Sequence, residues 1–100
     1  MSPPRIVTTV AFVVPPEREG DVIPAYRDVI AHGLRPDGLL RSELLRGQGG
    51  RWSIHTLWRD REAIIAARNA GAQPAALLLA QRVGAEHSHD VLTVEESLGD

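Results

Sequence analysis

The stretch RIVTTVAFVV, residues 5–14, limits what this chain can fold into more than any other. It is rich in β-branched residues, has the length of a strand and stops at Pro15-Pro16, which predicts a strand. Successive side chains of a strand point to opposite faces, so the run divides into two sets. One set is Ile6, Thr8, Val10, Phe12 and Val14; the other is Val7, Thr9, Ala11 and Val13. Neither set contains a charge. Such a strand is expected to be covered on both faces, and the rest of the chain must supply both covers or borrow one.

Residues 17–33 read as a helix. Glu17, Glu19 and Asp21 suit the positive end of a helix dipole, and Val22, Ile23, Tyr26, Val29, Ile30 and Gly33 recur at three- and four-residue spacing. Pro24 fits a first turn if the regular helix begins near Val22, and Gly33 suits a C-terminal cap. Arg35-Pro36-Asp37-Gly38 is turn chemistry. LLRSELLR (39–46) predicts a second strand, more polar and nearer an edge, and GQGG (47–50) a hairpin connection to a third. That third strand, within RWSIHTLWRD (51–60), puts Trp52, Ile54, Thr56 and Trp58 on one face and Ser53, His55 and Leu57 on the other. Asp60 is placed to cap a second helix whose apolar face is Ala63, Ile64 and Ala67. Asn69, Gly71 and Pro74 interrupt this helix, and residues 75–83 resume it. A last strand is expected near residues 89–96, where Val91, Thr93 and Glu95 alternate with Leu92, Val94 and Glu96.

The order β-α-β-β-α-β predicts one ferredoxin-like α+β domain over residues 1–100, a four-stranded antiparallel sheet with both helices on one face. Two helices shield one face only. Yet the first strand is apolar on both sides, and the third carries the tryptophans on one side and Leu57 on the other. A second copy of the chain, sheet against sheet, is the expected cover, giving a homodimer built as a dimeric α+β barrel. The tryptophans should then face the helices and His55 the partner.

Composition narrows the function classes. The chain has 100 residues with 43% hydrophobic content, enough for one small core. It contains no cysteine, which excludes disulfides, thiolate zinc sites and cysteine nucleophiles. The apolar run Ile6 to Val14 is too short to span a bilayer and has no basic cluster before it, so no membrane association and a cytoplasmic location are expected. Net charge is −2, and the eleven basic residues, all arginine, are scattered among thirteen acids. A nucleic-acid binder gathers its positive charge on one surface, so no nucleic-acid partner is expected.

Several residues could carry chemistry, each with an ordinary alternative. Trp52 and Trp58 could wall a flat ligand or simply fill core beneath the helices. His55 could serve as a general base or be a hydrogen-bonded structural group. Tyr26 could present its hydroxyl to a pocket or sit at the rim of a small core. His32 lies off the main helical stripe and reads as a surface residue. His87 and His89 share one strand face, but a metal site needs a third ligand and a supporting shell, so no metal is expected. GQGG lies between two strands and makes a hairpin, with no phosphate cradle.

The segments PDGLLRSELLR (36–46) and IHTLWRDREAIIAA (54–67), followed by the broken second helix, resemble the antibiotic biosynthesis monooxygenase family. The resemblance rests on Pro36-x-Gly38 leading into Ser42-Glu43-Leu44, on Trp58 closing the third strand, and on Arg61-Glu62-Ala63 after it. It implies a ferredoxin-like domain that dimerises into an α+β barrel, with a pocket between helices and sheet for aromatic polyketide-like substrates, quinols or haem. Members often carry a histidine nine or ten residues beyond that tryptophan, where this chain has Ala67 and Arg68. The haem-degrading branch uses an asparagine in the first strand, where this chain offers Thr8 and Thr9, which argues against haem degradation. Arg68, permanently cationic, could hold a carboxylate or phenolate, or lie on the outer helical face. The leading expectation is a monooxygenase that uses no cofactor on an aromatic polyketide-like or quinol-type small molecule. Tyr26 and His55 are its candidate catalytic residues; Trp58, Trp52 and Arg68 are its candidate substrate contacts. A polyketide cyclase in the same pocket and a non-catalytic dimeric ligand-binding domain are the alternatives.

Overall fold

The β-branched run at the start of the chain forms β1 (Ile6–Val13), which ends where Pro15-Pro16 can offer no ladder N–H. The structure, a computed structural model, describes residues 3–32, 35–70, 75–83 and 86–99. After β1 the acidic segment Pro16–Asp21 is a 3-10 helix, and α-helical geometry begins at Val22 to make α1 (Val22–His32). The one long helix expected from residue 17 is therefore two pieces. Pro24 explains the division: lacking an N–H, it must stand in the first turn of regular helix, which fixes the start near Val22.

Next come β2 (Leu39–Arg46) and β3 (Arg51–Trp58), with the bounds that their alternation and the glycine-rich connection imply. Gly50 adopts φ +78°, and a side chain there would collide with the Val14 carbonyl, so only glycine lets the hairpin lie against the end of β1. Val14 N–H donates to the Gly50 carbonyl at 2.9 Å across this contact. Then follow α2 (Arg61–Asn69), α3 (Ala75–Arg82) and β4 (His87–Thr93). The Asp60 side chain caps α2 by accepting from Ala63 N–H at 2.9 Å, as its position predicts. The expected cap at Gly33 and the break at Gly71 and Pro74 lie outside the described residues.

The final strand starts two residues earlier and stops three earlier than the 89–96 pattern suggests. Its partner sets these limits: β4 pairs with β1 from Phe12↔His87 to Ile6↔Thr93, and only one further bond, Val94 N–H to the Arg5 carbonyl at 2.9 Å, continues the ladder.

The sheet order is β2-β3-β1-β4 with every neighbouring pair antiparallel, and the helices lie on one face: the ferredoxin-like α+β arrangement. α1 packs against α3, α3 against β1, and α2 against β3. Beneath α1 and α3 lies one apolar cluster of Val10, Phe12, Val14, Val22, Trp52, Ile54, Leu79 and Val83. Beneath α2 lies a second, of Ile6, Trp58, Ala63 and Ile64. Among the described residues no helix is long and apolar enough to cross a membrane.

Among the described residues nothing covers the opposite face of the sheet. Val7 and Leu57 are half-buried, while Val13, Leu45 and Leu92 are exposed at 55%, 39% and 47%. The first strand is thus shielded on one side by its own chain and left open on the other.

Candidate functional site

Strand register brings together three small hydroxyl residues that are far apart in sequence. Ser42 of β2 lies opposite Thr56 of β3, and Thr56 lies opposite Thr8 of β1. All three point to the helix-covered face, by the same alternation that buries Ile6, Val10, Ile54 and Trp58 there. On each strand the hydroxyl separates the two clusters: Thr8 stands between Ile6 and Val10, Thr56 between Trp58 and Ile54, and Ser42 between Leu39 and Leu44. A polar band therefore crosses the sheet between two apolar ends of the helix–sheet layer.

Both ends of the band are held by larger side chains. The Tyr26 hydroxyl, half-buried on α1, donates to Ser42 Oγ at 3.0 Å. The indole N–H of Trp58, which is buried, donates to Thr8 Oγ1 at 3.0 Å. Because each of these hydroxyls accepts one bond, each keeps its own hydrogen free to donate. Tyr26 and Trp58 are thereby fixed at opposite ends of one line, with Thr56 between them. This pairing joins two of the residues that the sequence marks as candidates.

The others lie elsewhere. Trp52 faces the helices, but two rungs further along β3, inside the first cluster. Its indole N–H reaches Glu19 Oε1 at 3.4 Å, and the Arg46 guanidinium lies 5.2 Å from its ring centroid while also pairing with Glu19 at 3.2 Å. This tryptophan is a core residue with a polar cap. His55 is half-buried on the uncovered face, between Thr9 and Glu43 on the neighbouring strands, with Ser53 Oγ 3.5 Å from Nε2. Within one chain it cannot act in the same space as Tyr26 and Trp58, because the sheet stands between them. Arg68 is exposed on α2, and its side chain makes no hydrogen bond or ion pair among the described residues. His87 and His89 are exposed on β4, and the described residues contain no group of three potential metal ligands.

Two surface grooves lie among the described residues, apart from the band. One, at the hairpin, contains the Glu19–Arg46 pair; the other, between α1 and α3, contains Arg18–Asp21 at 3.0 Å and the Arg82–Asp28 pair. In both, opposite charges are matched within the chain, which leaves little unspent for a ligand.

The hydroxyls of the band carry no charge, and with the indole and phenol they form a neutral surface of hydrogen-bond donors and acceptors. Such a surface suits a flat, largely apolar molecule with oxygen substituents. Residues Ser42, Thr56 and Thr8 do not announce this alone. Each occurs inside an apolar alternation, and only the register places them side by side.

The architecture and the site define a small ferredoxin-like domain with a polar seam between its helices and sheet. The profile of the antibiotic biosynthesis monooxygenase family matches residues 5–77. The chain belongs to that family. No curated protein matches it. Among solved structures, a point variant of SnoaB, described as a cofactor-independent oxygenase from Streptomyces nogalater, is similar at 22% identity with a TM-score of 0.72, covering 96% of this chain and 98% of that one. Rv0793 from Mycobacterium tuberculosis is 19% identical with a TM-score of 0.63, over 96% of this chain and 97% of that one. A Nitrosomonas europaea protein of unknown function, NE2512, is 12% identical with a TM-score of 0.71, over 100% of this chain and 98% of that one. At these identities the likeness is one of fold, and function must be argued from the site.

Proposed function

We propose that this chain is a monooxygenase that acts without metal or flavin on a flat aromatic polyketide-like or quinol-type molecule held between α1, α2 and the sheet. Family membership supports the reaction class, and SnoaB, described as a cofactor-independent oxygenase, shares the fold. The observation that carries the reading is the band Ser42–Thr56–Thr8 lying between Tyr26 and Trp58, polar groups set inside an apolar layer.

In this reading an activated methylene of the substrate loses a proton to give an electron-rich carbanion, delocalised onto a ring oxygen as a phenolate. Hydrogen bonds from the seam stabilise that oxygen. The substrate itself reduces dioxygen: the methylene becomes a carbonyl, one oxygen atom enters the product, and the other leaves as water with the two hydrogens. Trp58 forms a wall and, through its indole N–H, orients Thr8. Tyr26 orients Ser42. Arg68 and Trp52 take no part in this arrangement, and neither does the same chain's His55.

The working unit is a homodimer in which a second copy covers the open sheet face. Val7, Leu57, Val13, Leu45 and Leu92 there form an apolar surface on the two central and two outer strands. Val7, Leu57 and Leu92 adjoin there on three neighbouring strands, with the row Glu43, His55, Thr9 and Asp90 between them and Val13 and Leu45; an exposed apolar patch of this kind on a small chain supports an interface. A cytoplasmic location accords with a cysteine-free chain.

Oxygen consumption with 1,8-dihydroxyanthrone, using protein dialysed against chelator, tests the reaction. Stoichiometric uptake of one dioxygen per anthraquinone formed is expected. A second reading, ligand binding without turnover, is favoured by Ala67 and Arg68 standing where relatives often carry histidine, since the described residues place no imidazole beside the seam. Saturable binding with no oxygen uptake would select that reading; ring closure of an open-chain polyketide without oxygen uptake would select a cyclase.

A further inference from the structure

Thr56 is 9% exposed, yet among the described residues its hydroxyl has no hydrogen-bond partner. Buried polar groups are ordinarily paired, and an unpaired one costs stability. Among the described residues, however, no side-chain polar atom is both sealed from solvent and unpaired. Both facts hold only if Thr56 Oγ1, though set deep in the helix–sheet layer, opens onto reachable space. Its neighbours on either strand are the two hydroxyls already steadied from outside, Ser42 by Tyr26 and Thr8 by Trp58. The band is thus three hydroxyls, the outer two anchored and the central one uncommitted.

We propose that Thr56 is the residue that reads the oxygen substituents of the ligand. Adjacent strands lie about 4.8 Å apart, so neighbouring hydroxyls of the band are separated by roughly that spacing. This matches the span between two oxygens set 1,3 on one six-membered ring, whereas oxygens on opposite sides of the ring stand further apart. A 1,3-dioxygenated aromatic, a resorcinol-type ring, bridges Thr56 and one anchored neighbour with both oxygens bonded and its ring over apolar surface. A ligand of the same shape without oxygens leaves Thr56 unpaired and is disfavoured, since a polar group buried without a partner discriminates strongly.

This rests on the helix–sheet ligand site proposed above, and the test separates the two. Equilibrium dialysis under argon compares 1,3-dihydroxynaphthalene with 1,3-dimethylnaphthalene, on wild type, Thr56→Val and Thr56→Ser. The wild type is expected to prefer the diol. Thr56→Val, which keeps shape and removes the hydroxyl, is expected to weaken diol binding about tenfold, the effect of one lost hydrogen bond, and to leave the dimethyl compound within about twofold. Thr56→Ser is expected to retain the preference, which separates lost hydroxyl from lost fold. If Thr56→Val weakens both compounds equally, or neither, the assignment of Thr56 is overturned while the site stands. If the wild type retains neither compound, the site reading falls and this one with it.

Discussion

The two faces of the sheet are made by the same strands and differ by a single residue of alternation, yet they have opposite characters. On one, Trp52, Ile54, Thr56 and Trp58 are all buried beneath helices; on the other, Ser53, His55 and Leu57, their sequence neighbours, remain half-exposed. The covered face spends its apolar surface within the chain and has a polar seam in its middle. The open face keeps apolar side chains such as Val13 and Leu92 in contact with water. The chain's own packing therefore uses one face and leaves the other open, and the proposed ligand seam lies on the face that the helices wall. Substitutions on the two faces should accordingly break different properties.

The largest effect is expected on the covered side. Leu79 is fully buried in the cluster under α1 and α3, so Leu79→Ala should cost about 2–5 kcal/mol of folding stability, read as a drop in the denaturant midpoint. On the open face, Val7→Asp should weaken self-association about 100-fold, or about 2.7 kcal/mol, by placing a carboxylate beside Leu57 and Leu92. Sedimentation velocity across a concentration series checks it, and an unchanged dimer constant would detach the open face from dimerisation. Trp58→Phe removes the bond to Thr8 and should weaken ligand binding about tenfold, with about 1 kcal/mol lost from folding. The same loss in folding with ligand affinity unchanged would mark Trp58 as core alone. Asp60→Ala, at the cap of α2, should cost about 1 kcal/mol and act on folding rather than binding. The smallest effect belongs to His55→Gln: ligand affinity within about twofold of wild type, because the sheet separates it from the seam. A tenfold loss there would show that the two faces share a site.

Much of the fold was legible in the sequence because its elements declare themselves locally. The alternation of residues 5–14, the glycine-rich hairpin and the Asp60 cap each act over a few residues, and strand bounds at Leu39–Arg46 and the start of α2 follow from them. The two-piece first helix was legible only in part, since Pro24 sets where regular helix begins but says nothing of the 3-10 turn before it. The site was less legible. Tyr26 and Trp58 stand out as the rare aromatic residues, and the structure does bring them to one seam. Trp52 stands out equally and belongs to the core instead. Thr56 gave no signal, because a threonine in a β-branched strand is ordinary until its hydroxyl is found without a partner.

Sequence alone determined the chain of elements, which side chains share a strand face, and that two helices are too few to cover a sheet apolar on both sides. These are consequences of backbone periodicity and of the count of apolar residues. Tertiary structure alone decided that Ser42, Thr56 and Thr8, from three different strands, form one line. Register between strands distant in sequence is set by how the buried rows interlock, and a slip of one residue would turn every one of these side chains to the opposite face.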